Sequence, residues 1–113
     1  MNLLAISGSL RAVSINTAFL RTVGKLAPEG MAVGLFIPDR LPLFNPDLEA
    51  SPSPEVRDFR RLVKAADAVL IATPEYAHGI TGAMKNALDW LVSFPPFAGK
   101  PVAVVNTSPA GHH

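Results

Sequence analysis

At 113 residues, the chain has room for a single domain with a real core but a thin stability margin. A hydrophobic fraction of 49% against 17% charged residues excludes a disordered tail. A net charge of +1, with no basic run beyond Arg60-Arg61, excludes an electrostatic footprint for nucleic acid or an anionic membrane, and the lack of cysteine excludes disulfides, thiolate metal sites and thiol catalysis. The apolar start at Met1–Ile6 has no basic leader and meets Gly8 at once, so it does not read as a signal peptide. Every apolar stretch falls well short of the ~20 residues of a membrane helix. A soluble cytoplasmic protein is the expectation.

Residues 2–7 form a continuous apolar run that ends in Ser-Gly-Ser, as suits a strand buried on both faces. Helical spacing over 14–27 aligns Ile15, Ala18, Phe19, Val23 and Leu26, with Ser14 as cap and Pro28 and Gly30 as the stop. Residues 31–37 read as a second strand. Pro38, Pro42, Pro46, Pro52 and Pro54 then punctuate a long loop. A helix over 54–66 buries Val56, Phe59, Leu62, Val63 and Ala66, with Pro54 at an early position. Residues 68–72 are the clearest buried strand. A third helix covers about 81–93, with Ala83, Met84, Ala87, Leu88, Trp90 and Leu91 facing mostly inward, and Pro95-Pro96 stops it. Residues 102–105 are a fourth strand.

Strands alternating with helices imply right-handed crossovers and a doubly wound parallel sheet, a three-layer α/β/α architecture. Such a sheet takes its ligand outside the carboxyl ends of its strands, at the switch point. Three loops therefore carry the functional reading. The first, Gly8-Ser9-Leu10-Arg11-Ala12-Val13-Ser14-Ile15-Asn16-Thr17, runs from a buried strand into a helix. Small hydroxyl and amide side chains, a helix N-terminus and Arg11 suit an anion such as a phosphate. The alternative is an ordinary capped turn with a surface Arg. Neither the nucleoside-triphosphate loop nor the dinucleotide fingerprint is present. The second loop, Thr73-Pro74-Glu75-Tyr76-Ala77-His78-Gly79-Ile80-Thr81-Gly82, offers a shaped backbone and one aromatic face. Each of its side chains also has a plain structural reading: Tyr76 as packing, Glu75 as a solvated charge, His78 as a surface residue. The third loop is Asn106-Thr107-Ser108-Pro109-Ala110-Gly111.

Gly8-Ser9-Leu10-Arg11 with Ser14 and Asn16, then Thr73-Pro74-Glu75-Tyr76, then Gly82-Ala83-Met84-Lys85-Asn86-Ala87-Leu88-Asp89-Trp90, resembles the NADPH-dependent FMN reductase family in order and spacing over essentially the whole chain. That family includes flavin, quinone, azo-dye and chromate reductases. The resemblance implies a flavodoxin-like fold that binds FMN, with NADPH or NADH as reductant. It implies that Ser9, Arg11, Ser14 and Asn16 hold the FMN phosphate and that Pro74, Glu75, Tyr76 and Ala77 hold the ring, with Thr17 and Gly79 of the same loops as further cofactor-binding candidates. Many relatives have Asn where this chain has Ala77, so only backbone contacts carry over there. Ser108 and Gly111 match loosely a loop that approaches the flavin from its other side. Lys85–Trp90 reads as packing and oligomer contacts, and a homodimer or homotetramer is implied. Relatives continue for a helix, a fifth strand and a final helix, so the fold expected here lacks the last strand and helices and leaves residues 102–105 at an edge.

The implied activity is hydride transfer from NAD(P)H through FMN to a small-molecule acceptor: a quinone, a flavin, an azo compound or chromate. The cofactor carries that chemistry. No protein acid, base or nucleophile is assigned, and the histidines lack metal-ligand spacing. The loop over 38–54 reads equally as an acceptor wall or dimer contact and as a plain connection. Two rival readings are a flavodoxin-type electron carrier and a flavin-free remnant. Such carriers are strongly acidic, and the near-balanced charge here argues against one.

Overall fold

The computed structural model describes residues 1–8, 15–73 and 81–106, and for residues 15–17, 19 and 106 the backbone alone. The elements are β1 (Asn2–Ser7), α1 (Ile15–Leu26), β2 (Ala32–Phe36), α2 (Pro54–Ala65), β3 (Ala68–Thr73), α3 (Gly82–Val92) and β4 (Val102–Asn106). Short 3-10 turns lie at Pro46–Leu48 and Pro95–Phe97. The sheet order is β2-β1-β3-β4 and all three pairings are parallel. All seven elements agree with the reading from sequence to within a residue or two at their ends.

Alternation along the central strands sorts the core onto two faces. Leu4 and Ile6 of β1 and Val69 and Ile71 of β3 meet Phe59 and Val63 of α2 and Met84, Ala87 and Leu91 of α3. On the opposite face Ala5 and Ala72 pack against Leu20 of α1, flanked by Val33 and Leu70. Helices thus lie on both sides of the sheet. The unbroken apolar runs of β1 and β3 are explained, because both faces of each are covered.

Local chemistry sets the ends of the elements. Ser53 caps α2 by accepting from the Val56 amide, and Pro54 occupies the first turn, where a missing N–H costs nothing. The link from α1 to β2 closes with Met31 N donating to Pro28 O at 3.0 Å around Gly30 at φ +88°. The link into β4 repeats this with Lys100 N to Phe97 O and Gly99 at φ +82°. Both are turns whose third residue needs the left-handed region.

Two details differ from the sequence reading. Among the described side chains of α1, Leu20 is buried, whereas Ala18 is exposed and Leu26, which ends the helix, is 78% exposed. The small partners Ala5 and Ala72 leave space on the sheet for one large side chain, and Leu20 fills it. In α2, Leu62 is 38% exposed, so the buried stripe is Val56, Phe59 and Val63. Ala66 is buried just past the helix end, where its amide donates to Leu62 O and Val63 O. β4 is the outer strand beside β3 among the described residues. Its Val102 and Val104, paired with Val69 and Ile71, are 42% and 64% exposed.

Candidate functional site

β1 and β3 are neighbours, and the chain leaves them in opposite directions along the sheet, to β2 on one side and to β4 on the other. This is the topological switch point of a doubly wound sheet, the place where ligands bind. The carboxyl ends of the two strands meet there in a tight cluster. Ser7 and Thr73 are buried polar residues at the strand ends. Gly8 N donates to Ala72 O at 2.7 Å. A Cβ built on Gly8 would sit 2.5 Å from Thr73 Oγ1 and 3.0 Å from Thr73 Cα, so a backbone without a side chain is needed at this close approach. Thr81 Oγ1 donates to Gly8 O at 2.7 Å and accepts from Met84 N at 3.2 Å, which makes it the N-cap of α3. The first and second loops therefore leave and re-enter the described fold side by side. α1 carries no acidic residue in its own first turn, and the positive end of its dipole suits an anion.

The residues predicted to touch the ligand lie mostly outside the described set. Ser9, Arg11, Ser14, Pro74, Glu75, Tyr76, Ala77, Gly79, Ser108 and Gly111 are among them. Asn16 and Thr17 fall in the first turn of α1. Among the described residues no group of His, Asp or Glu is arranged to hold a metal ion. None of the described helices is long and apolar enough to cross a membrane.

The sequence reading left the proline loop open and took Lys85–Trp90 for packing and oligomer contacts. The structure shows α3 gripping that loop. Asn86 Oδ1 accepts from Phe44 N at 2.7 Å and Asn86 Nδ2 donates to Pro42 O at 2.9 Å. Trp90 Nε1 donates to the same carbonyl at 2.8 Å, and its ring meets Phe44 edge-on at 5.0 Å. Asn86 and Trp90 are four apart and share a helix face, the one signal that pointed to a joint role. Asn86→Ala is expected to cost ~1–3 kcal/mol, because it strands a part-buried amide. The Phe44 amide should exchange faster with solvent while the amides of α3 hold. Unchanged exchange at Phe44 would count against the grip.

A charged clasp secures the far end of the loop. Arg60 Nη2 donates to both carboxylate oxygens of Glu49, at 3.0 and 3.1 Å. Arg60 Nε and Nη2 also donate to Trp90 O, so the guanidinium satisfies a carbonyl at the C-terminal end of α3, where a cation is favoured. Arg60 lies over the Trp90 and Phe94 rings at 5.6 and 5.3 Å. The hydrogen bond from Ser93 Oγ, with the bond and charge of Arg60, holds the Glu49 carboxyl below its usual 4.5 against the opposing effect of desolvation. A carboxyl depressed in the folded state contributes stability above its unfolded value and loses it as pH falls through the folded value. Glu49→Gln should therefore shrink the drop in urea midpoint between neutral pH and pH below 4.5. An equal drop in both proteins would contradict this.

A parallel sheet of order β2-β1-β3-β4, with helices on both faces and loop roots joined at the β1/β3 switch point, is a flavodoxin-like α/β scaffold. The family model for NADPH-dependent FMN reductase matches residues 1–113. The chain belongs to that family. It is 44% identical over 111 residues to an NAD(P)H-dependent FMN reductase of Pseudomonas aeruginosa, covering 96% of this chain and 60% of that protein. It is 41% identical over 110 residues to a quinone reductase of Pseudomonas putida, covering 92% of this chain and 58% of that protein. Among solved structures, the flavoenzyme NAD(P)H:(acceptor) oxidoreductase FerB of Paracoccus denitrificans superposes with a TM-score of 0.87 at 34% identity, covering 97% of this chain and 62% of that one. The chain thus spans about 60% of the length of such relatives.

Proposed function

We propose that the chain binds FMN at the β1/β3 switch point and serves NAD(P)H-dependent reduction of a small acceptor such as a quinone, a flavin, an azo compound or chromate. The observation that carries this reading is the joining of two loop roots, Gly8 and Thr81, at the switch point of a chain from this family. The described rim fits FMN: a backbone cradle at Gly8 beside a helix whose first turn carries no acid. Ser9, Arg11, Ser14, Asn16 and Thr17 would hold the phosphate. Pro74, Glu75, Tyr76, Ala77 and Gly79 would frame the ring, with Ser108 and Gly111 opposite. When bound, FMN supplies the capacity to take up a hydride and pass electrons on. The residues of the chain bind and orient it and shape access to its face. The proline loop, fixed by Asn86, Trp90 and Arg60, presents Leu43 at 82% exposure and would wall the acceptor side. Action in the cytoplasm, and as a homodimer or homotetramer, belongs to the same reading. A cysteine-free chain supports the first, and the second rests on the family resemblance.

The test is the visible spectrum of the protein mixed with FMN, before and after NADPH under nitrogen. Bound flavin that bleaches faster than free FMN is the expected result. Bound flavin that stays oxidised would favour an electron carrier, and failure to bind flavin would overturn the reading for this chain.

A further inference from the structure

We propose that Thr81 is a positioning residue that locks the two cofactor loops to one another, so that phosphate and ring subsites form as a unit. This rests on the FMN reading above. Gly8 opens the first loop and Thr81 lies near the end of the second, 73 residues later. One hydroxyl joins them. It accepts from Met84 N at 3.2 Å and donates to Gly8 O at 2.7 Å, which uses its only proton. Gly8 is held from the other side by its amide, bonded to Ala72 O at 2.7 Å. Met84 is fully buried in the core formed by α2, α3 and the sheet. The relay from Met84 through Thr81 to Gly8 therefore anchors the entrance of the phosphate loop to the same rigid helix that ends the ring loop. Hydrogen bonds in series polarise one another, so this chain resists stretching more than separate bonds would.

A plain helix cap needs only an acceptor facing Met84 N. The bond donated to Gly8 O is the feature that capping does not explain, and it gives the test its contrast. Thr81→Val keeps the shape and removes both bonds, whereas Thr81→Ser restores both. Ser53→Ala removes the corresponding cap from α2, away from the rim, and is the control for loss of a helix cap alone. Hydrogen exchange on the flavin-free protein comes first. In Thr81→Val the amides of both Gly8 and Met84 should exchange faster, with Thr81→Ser like the parent. In Ser53→Ala only the Val56 amide should respond. Fluorescence titration with FMN comes second. Thr81→Val should bind roughly tenfold more weakly, the worth of about one hydrogen bond, while Thr81→Ser and Ser53→Ala match the parent. Faster exchange at Met84 alone would reduce Thr81 to a cap and overturn the proposal, as would parental FMN affinity in Thr81→Val. If the parent itself binds no FMN, the functional reading fails and the cofactor role of Thr81 falls with it. The exchange pattern distinguishes that failure from a broken relay.

Discussion

Gly8→Ala should unfold at a clearly lower urea concentration than the parent and lose most of its affinity for FMN. The added carbon would lie 2.5 Å from Thr73 Oγ1, 2.8 Å from Thr73 Cβ and 3.0 Å from Thr73 Cα. A flexible side-chain tip could turn away, but a Cα in the central strand β3 cannot. Thr73 is buried, and its strand is paired on both sides. Relief must come from the backbone, which means stretching Gly8 N to Ala72 O or Thr81 Oγ1 to Gly8 O. Overpacking of this kind costs ~1–3 kcal/mol. The displaced residue is the root of the first loop, so FMN affinity should fall more than tenfold, beyond the loss from removing the Thr81 hydroxyl. Gly82→Ala is the control on the same rim. Among the described residues, nothing beyond its chain neighbours and its own helix backbone lies within 4 Å of the added carbon, and in the first turn of α3 it should be neutral or stabilise by ~0.4–1 kcal/mol. Equal stability of Gly8→Ala and the parent would show that the two strand ends are less closely apposed than described.

Trp90→Ala should come near to unfolding the chain. The side chain is fully buried and joins three parts of the structure: the loop through Pro42 O and Phe44, α2 through Arg60, and its own helix. Truncating a buried Trp costs ~3–5 kcal/mol. Small domains have only about 5–15 kcal/mol in total. Trp90→Phe should be much milder, at about 1–2 kcal/mol, because most of the ring remains and Pro42 O keeps its bond from Asn86 Nδ2. Urea unfolding of the three proteins checks both values. Trp90→Ala within 1 kcal/mol of the parent would sink the account of this clasp.

The fold was legible because its signals are local. The runs Leu3–Ile6 and Val69–Ala72 announce strands covered on both faces, and Ser53-Pro54 announces a helix start. Spacing alone does not reveal that Ala18 and Leu26 are exposed and Leu20 is buried, because burial in α1 depends on what lies beneath: Ala5 and Ala72 of the sheet pack against Leu20. The switch point between β1 and β3 followed from the order of the elements, while most of the candidate ligand residues lie outside the described set. The roles of Thr81, Asn86 and Arg60 were not legible. Their partners Gly8, Pro42, Phe44, Glu49 and Trp90 are 11 to 73 residues distant, and no periodicity or spacing rule reaches across such separations. Thr81 falls inside the helix range read from the sequence, although it caps that helix.

Trp90 is the only tryptophan in the chain. All tryptophan emission therefore originates at one point, a buried pocket between the Arg60 guanidinium and the Phe44 ring at the junction of loop and helix. Release of the loop would let water reach the indole and shift its emission to the red, while the far-ultraviolet dichroism of the helices stayed constant. A bound isoalloxazine absorbs where indole emits and would dim the same signal without moving its maximum. The chain thus carries a built-in optical probe that separates loop opening from flavin binding by colour and by intensity.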